Sequence, residues 1–278
     1  VPEPTGTEPT GTDSTGTDPA AADQPLRVAI TGAYGRMGTL ASDYLSRAAG
    51  VEVVARLGAD DPIDRLVESN AQVLVDLTRP DAVMANADFA IEHGIHCVIG
   101  TSGIDAERQR ELRRLLAGHP EVGVVVAPNF AVGAVLAMRF AAEAARFFDA
   151  VEVIELHHAG KADAPSGTAA ATAARIAGER SKAGSAAMPD ATTHDQDGAR
   201  GATVDGVHVH SVRLPGLVAH QEVLLGNPGE LLTIRHDSTD RASFMPGVLL
   251  AARQAPRHPG LTIGLEPLLG LPAAAATE

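Results

Sequence analysis

The sequence predicts an α/β chain in two parts: a parallel sheet wrapped by helices, then an α+β part with a mostly antiparallel or mixed sheet. Three observations predict it. Short apolar runs alternate with helical periods from Leu26 to Val126, the pattern of strands joined by crossover helices. A glycine-spaced turn, Gly32-Ala33-Tyr34-Gly35-Arg36-Met37-Gly38, separates the first such run from the first helix. After residue 206 the pattern changes to short β-rich runs parted by Pro215-Gly216 and Asn227-Pro228-Gly229, which are turn signals.

Composition sets the class. The 278 residues suit one or two domains, and 45% of them are hydrophobic, enough for a sizeable core of Ala, Val, Leu and Ile. The formal charge of −13 argues against nucleic acid or an anionic membrane surface as partner. A single cysteine, Cys97, allows no intrachain disulfide and fits a reducing compartment. No apolar run approaches the ~20 residues of a membrane span. The expectation is a cytoplasmic protein acting on a small molecule.

Residues 1–25 are different material. A degenerate pentapeptide repeats as TGTEP, TGTDS and TGTDP over residues 5–19, and the stretch carries acids at Glu3, Glu8, Asp13, Asp18 and Asp23 and no base. Such a stretch has nothing to bury, so a disordered acidic tail is expected. Without those five charges the rest of the chain still carries −8.

The first strand runs from Leu26 to Thr31 and the helix after it from Thr39 to Ala49. A glycine turn between strand and helix lets the backbone approach a pyrophosphate, and the helix N-terminus favours its charge. This is the reading of a Rossmann-type dinucleotide-binding domain. The next strand, Val51 to Leu57, ends Arg56-Leu57-Gly58-Ala59-Asp60-Asp61. An acid usually ends this strand to hold the adenosine ribose. Gly58 stands there instead, and Arg56 is placed to meet a 2′-phosphate. Strands at Val73–Leu77, Ile95–Gly100 and Val122–Val126 follow, with helices at 82–93 and 105–117 between them. They deliver the polar loops Gly100-Thr101-Ser102-Gly103 and Ala127-Pro128-Asn129-Phe130, which suit a nicotinamide and its ribose. Cys97 sits mid-strand among apolar residues and reads as buried and inert. A strong helix covers 131–149.

Residues 155–169 read Glu-Leu-His-His-Ala-Gly-Lys-Ala-Asp-Ala-Pro-Ser-Gly-Thr-Ala, between an apolar strand from Val151 and a helix from about Ser166 to Arg180. The loop offers an imidazole pair, His157 and His158, one ammonium, and a helix N-terminus whose free N–H groups favour an anion. Only two lysines occur, Lys161 and Lys182, in a chain that otherwise writes Arg. A lysine is a compact charge whose pKa moves on burial, so this loop is a candidate catalytic centre. Residues 181–206 show no clear period. Strands are expected at 207–213, 218–225 and 231–236, then a helix at 241–254 and a short strand at 261–264. Two imidazoles on one strand face, His208 and His210, lack an obvious third ligand and read as polar sheet surface rather than a metal site.

Glu155-Leu-His-His-x-x-Lys161-x-Asp-Ala-Pro-Ser-Gly-Thr168 closely resembles the signature of the dihydrodipicolinate (4-hydroxy-tetrahydrodipicolinate) reductases of bacterial lysine biosynthesis. Gly32-x-x-Gly35-Arg-Met-Gly38, Gly100-Thr-Ser-Gly103 and Ala127-Pro-Asn-Phe130 look like that family's cofactor segments in the same order, and Ser211–Gly226 with Ile234-Arg-His-Asp-Ser looks like its actinobacterial branch. The resemblance runs from about residue 27 to the end.

It implies a dinucleotide-binding domain over 26–130 plus 241–278, a substrate-binding and tetramerisation domain over 131–240, and a homotetramer. It implies NADPH or NADH as cofactor, a small dicarboxylate as substrate and no resident metal. By position, His157 would be the general acid/base and Lys161 a proton donor. His158, Gly167 and Thr168 would bind substrate. Gly32 to Met37, Gly100 to Ser102 and Ala127 to Phe130 would line the cofactor. Two other readings share the architecture. A semialdehyde dehydrogenase needs a nucleophilic cysteine in a loop, which Cys97 is not. A nucleotide sensor would bind cofactor without turnover.

Overall fold

The computed structural model describes residues 24–101 and 103–271. The expected acidic tail falls outside these residues up to Asp23, and so does the Ser102 assignment.

The first sheet has six parallel strands: β1 (Leu26–Thr31), β2 (Val51–Leu57), β3 (Val73–Asp76), β4 (His96–Ile99), β5 (Gly123–Val126) and β11 (Gly260–Ile263). Their spatial order is β11-β5-β4-β3-β1-β2. Helices α1 (Arg36–Ser46), α3 (Val83–Glu92), α4 (Ala106–Leu116) and α7 (Met245–Gln254) cover it, and a single turn α2 (Arg65–Glu68) follows β2. Strand alternation makes the sheet apolar on both faces. Val28, Ile30, Val73, Val75 and Val98 are buried toward α1 and α7. Ala29, Leu74, Cys97 and Ile99 are buried with the residues of α3 and α4.

Register matters most for the site. Thr31 pairs with Asp76, Asp76 with Ile99, Ile99 with Val126 and Val126 with Ile263. The C-terminal ends of five strands are therefore flush, and their loops open along one edge. The strand order reverses at β1, where the chain runs outward to β2 and back to β3. Ligands of such sheets bind at that reversal.

The second sheet has the order β10-β9-β6-β8-β7, from β6 (Ala150–His157), β7 (Ala202–Val204), β8 (Val207–Arg213), β9 (Ala219–Asn227) and β10 (Glu230–Ser238). It is mixed: β6 and β8 are parallel, and the other pairs are antiparallel. Helices α5 (Val132–Ala144) and α6 (Gly167–Lys182) pack on one face, burying Val151, Val153, Ile176, Val207, Val209, Val223 and Leu225. The other face carries Glu152, Ile154, Leu156, Glu222, Leu224, Thr233 and Arg235 and has no helix over it among the described residues.

Several boundaries differ from the sequence reading. Helix α1 begins at Arg36, not Thr39, because Gly38 lies inside its first turn. Residues 241–244 form a 3₁₀ turn, and α7 starts only at Met245, with Pro246 in its first turn. β6 runs on to His157, which makes that residue the end of a strand and not part of a loop.

Candidate active site

β6 delivers His157 beside a carboxylate from its own face. Glu155, two residues earlier, has a fully buried side chain, and its Oε2 lies 2.5 Å from His157 Nδ1. β8 runs parallel to β6 with Arg213 opposite His157. The Arg213 guanidinium donates to both Glu155 oxygens at 2.7 Å, and Ser166 N–H donates to Oε1 at 3.0 Å. Burial alone would raise the Glu155 pKa. The hydrogen bonds from Arg213, Ser211, His157 and Ser166 outweigh it and bring the carboxyl down to about 2.

A carboxylate accepts only, so His157 Nδ1 must carry the hydrogen. Nε2 is left facing the crevice. Burial, with help from the Lys161 and Arg213 charges, pushes the imidazole below its usual range, against the pull of Glu155. A neutral ring with a fixed tautomer and one free nitrogen is an acid/base group in readiness.

The loop after β6 is tied to the same hub. Arg213 Nη2 also donates to Asp163 O at 2.7 Å. Ser166 caps α6, its hydroxyl accepting Ala169 N–H at 3.2 Å. The Asp163 carboxylate accepts from Lys161 Nζ at 2.6 Å and from Gly167 N–H at 3.3 Å. Lys161 and the first turn of α6 thus already hold one carboxylate from within the chain. They form an anion site with an ammonium on one side and a helix N-terminus on the other.

Two cavities, about 560 Å³ and about 250 Å³, form the crevice between the sheets and share Gly100, Pro128, Asn129, His157, Ser166 and Thr168. Of the residues expected to act on ligands, Gly100, Thr101, Lys161, Gly167 and Thr168 line the larger, and Met37, Ala127 and Phe130 the smaller. His158 lines neither; the chain turns there, with Lys161 N–H donating to His158 O at 3.1 Å. Gly32, Ala33, Tyr34, Gly35 and Arg36 lie beyond the cavities, at the end of β1.

That turn fits a dinucleotide. Gly32 has φ +69°, and a Cβ there would fall 2.5 Å from Leu77 O. A Cβ on Gly38 would fall 2.0 Å from Gly32 O. No side chain caps α1, whose N-cap is Gly35, and no acid stands in its first turn. The backbone is left bare where a pyrophosphate would approach.

One assignment needs correction. Arg56 donates to Ser46 Oγ at 2.7 Å, at the far end of α1, about 16 Å along the helix from the glycine turn. It is not placed to meet a 2′-phosphate. Asp61 instead turns back to the end of β2, accepting from Gly58 N–H and Arg65 Nη1 at 2.7 Å each.

Sequence reading assigned no role to Glu155, Arg213, Asp163 or Asp76. Asp76 is buried at the end of β3 and accepts from the Thr31, Thr78 and Thr101 hydroxyls and from Asn86 Nδ2, tying three strand ends together. Glu155 had one legible signal: it shares the strand face of the apolar Val151 and Val153.

With this geometry in place, similarity to known proteins is specific. Two family descriptions match consecutively: dihydrodipicolinate reductase, N-terminus, over residues 26–130, and dihydrodipicolinate reductase, C-terminus, over 133–269. The chain belongs to the dihydrodipicolinate reductase family. A 4-hydroxy-tetrahydrodipicolinate reductase of Nocardia farcinica is 57% identical over 246 residues, spanning 88% of this chain and 99% of that protein. One from Mycobacterium marinum is 55% identical over 246 residues, 88% of this chain and 100% of that one. The dipicolinate-bound dihydrodipicolinate reductase of Paenisporosarcina sp. TG-14 is 38% identical, with a TM-score of 0.78 over 87% of this chain and 99% of that one. A scyllo-inositol dehydrogenase from Lactobacillus casei, 12% identical with a TM-score of 0.57 over 88% of this chain and 92% of that one, shares the fold alone.

The carboxyl of Glu155 is held at about 2, below its ordinary 4.5, so the unfolded chain takes up that proton first. The stability this provides is complete above about pH 4.5 and is lost as pH falls toward 2. Glu155→Gln removes that pH-dependent part and leaves the Arg213 charge unpaired. Urea unfolding at neutral pH should show a loss of roughly 3–5 kcal/mol and a flatter acid limb. An unchanged midpoint and acid limb would contradict the role given to Glu155.

Proposed function

We propose that the protein reduces 4-hydroxy-tetrahydrodipicolinate to tetrahydrodipicolinate, with loss of water, in the diaminopimelate route to lysine. The observation that carries this reading is the anion site of Lys161 and the α6 N-terminus beside the free Nε2 of His157. A dicarboxylate ring fits such a wall. The dipicolinate of the Paenisporosarcina structure is a ligand of the same chemical class.

Family membership and the bare glycine turn support a nicotinamide cofactor, which supplies the hydride to ring C4 when bound. Gly32 to Met37, Gly100 to Ser102 and Ala127 to Phe130 would hold it. The chain's own residues do the rest. Lys161, Gly167 and Thr168 hold a ring carboxylate, displacing Asp163, and His158 assists from the edge of the loop. His157 exchanges a proton with the substrate through Nε2, while Glu155 stabilises the positive charge the ring takes on. Lys161 donates a proton and lowers the energy of the negative charge that builds as the ring is reduced. A positioned acid of this kind is worth about 10²–10⁴-fold. The two separate sheets support a division into a cofactor domain (26–130 with 241–278) and a substrate domain (131–240).

Cofactor choice follows from the end of β2. Gly58 supplies no carboxylate, and Asp61 already accepts from a backbone N–H and from Arg65. NADPH should therefore serve at least as well as NADH. The uncovered face of the second sheet, with Ile154, Leu156 and Leu224 among paired charges, supports a homotetramer built on that face.

With substrate generated in situ by the preceding synthase, the wild type should oxidise NAD(P)H, and His157→Gln should lower kcat by about 10²–10⁴-fold with little change in cofactor affinity. Absence of wild-type turnover would overturn the reading, and an unchanged kcat in the variant would reassign the proton donor. Steady-state kinetics should give NADPH a kcat/KM no worse than NADH; an NADH advantage of about tenfold, ~1.4 kcal/mol, would refute the cofactor proposal. Light scattering should give the mass of four chains, and a monomer would remove the tetramer.

A further inference from the structure

The smaller lobe of the crevice holds a histidine that the reaction as described does not use. The residues facing α5 and α6 form rows across β6, β9 and β10. His157 pairs with Ala219, and Ala219 with Ser238; Glu155 pairs with Gln221, and Gln221 with His236. His236 therefore stands on the face of Glu155 and His157, in the row next to His157. It lines the smaller cavity together with Met37, Ala127 and Phe130.

Most side-chain polar atoms of that lobe are engaged. Gln221 Nε2 donates to Thr172 Oγ1 at 2.9 Å, and Ser238 Oγ accepts from Ser243 at 3.1 Å. His220 Nδ1 meets Asp237 at 2.6 Å, and its Nε2 accepts from Val218 N–H at 3.3 Å. Asn129 accepts from Ala131 N–H at 2.8 Å and donates to Thr168 Oγ1 at 3.4 Å. Neither ring nitrogen of His236 has a hydrogen-bond partner among the described residues.

The ring is also held closely. It lies against the backbone of Gly133 in the first turn of α5, where a Cβ would fall 2.6 Å from His236 Cδ2 and 2.9 Å from its Nε2. Any other residue at 133 would push the imidazole away. Burial lowers its pKa, His220 adds to this and Asp237 opposes it, so at neutral pH the ring offers one N–H and one lone pair. The His236 nitrogens are not among the buried unpaired side-chain atoms, so the ring is open to a ligand's hydrogen bond from the cavity it lines.

We propose that His236 hydrogen-bonds the nicotinamide half of the bound cofactor and holds it in the lobe shared with His157. The lobe favours that half over a substrate carboxylate. It contains Met37 from the first turn of α1 and the Ala127–Phe130 loop. The Lys161 ammonium and the Gly167 N–H line the other lobe. The assignment rests on the reductase reading given above.

The test is fluorescence titration of NADH and NADPH, with dipicolinate titrated separately, on the full chain. His236→Ala should raise the cofactor Kd about fivefold, the worth of one hydrogen bond. His236→Asn, which keeps a donor and an acceptor, should stay within about twofold of wild type. Gly133→Ala keeps the imidazole but displaces it, and should raise the cofactor Kd as His236→Ala does. Dipicolinate affinity should change less than about twofold in all three. Thermal unfolding identifies any variant that fails to fold, and the remaining variants then decide. A cofactor Kd unchanged in His236→Ala and Gly133→Ala would overturn the proposal, as would an equal loss of dipicolinate affinity. Wild-type turnover in the coupled assay reports separately on the reductase reading, since cofactor affinity is measured without it.

Discussion

The ion pair between Glu155 and Arg213 is the interaction on which the site depends. A buried carboxylate is costly unless its lone pairs are met, and here three groups meet them through four hydrogen bonds. Arg213 binds both oxygens, the α6 N-cap backbone binds one, and His157 takes the other. The pair therefore fixes three things together: the tautomer of His157, the entry of the chain into α6, and, through Asp163 O, the loop that carries Lys161. Without the arginine the acid would be driven toward its neutral form. One oxygen would then carry a hydrogen, so His157 Nδ1–H and Ser166 N–H would no longer both meet a full carboxylate acceptor.

The parallel sheet supplies the opposite wall by register alone. Five strands end in one row, so their loops share one edge, and the buried Asp76 binds Thr31 and Thr101 from the strands on either side. Across the crevice Arg175 makes a bidentate pair with Glu266 at 2.7 and 2.8 Å, joining α6 to the segment after β11. The loops proposed to hold the cofactor and the residues proposed to move protons are thereby presented to one another by two separately built sheets.

Much of this was legible in the sequence, for local reasons. The glycine turn, the alternation of strands and helices, and the loop from His157 to Thr168 are short-range signals, and their order along the chain resembled one family. What was not legible depends on pairing between distant residues. Arg213 becomes the partner of Glu155 only because β8 runs parallel to β6, inside a region whose turn signals favour antiparallel hairpins. Glu155 shares the strand face of Val151 and Val153, but only the register reveals which arginine meets it there. Arg56 fails for the same reason: its position along β2 suited a phosphate, but its side chain reaches Ser46. His158 follows His157 in sequence but lines neither cavity. His236 was visible only as part of a family-like segment, and its close approach to Gly133 joins residues about a hundred positions apart.

Burial keeps His157 neutral, and Glu155 fixes it as the Nδ1–H tautomer, with Nε2 free toward the crevice. Nitrogen-15 NMR of histidine-labelled protein measures this directly, the His157 resonance being assigned by its loss in His157→Gln. An Nδ1–H ring is expected at neutral pH, titrating below the ordinary histidine value of 6.5. An Nε2–H tautomer, or a ring still charged above that pH, would contradict it.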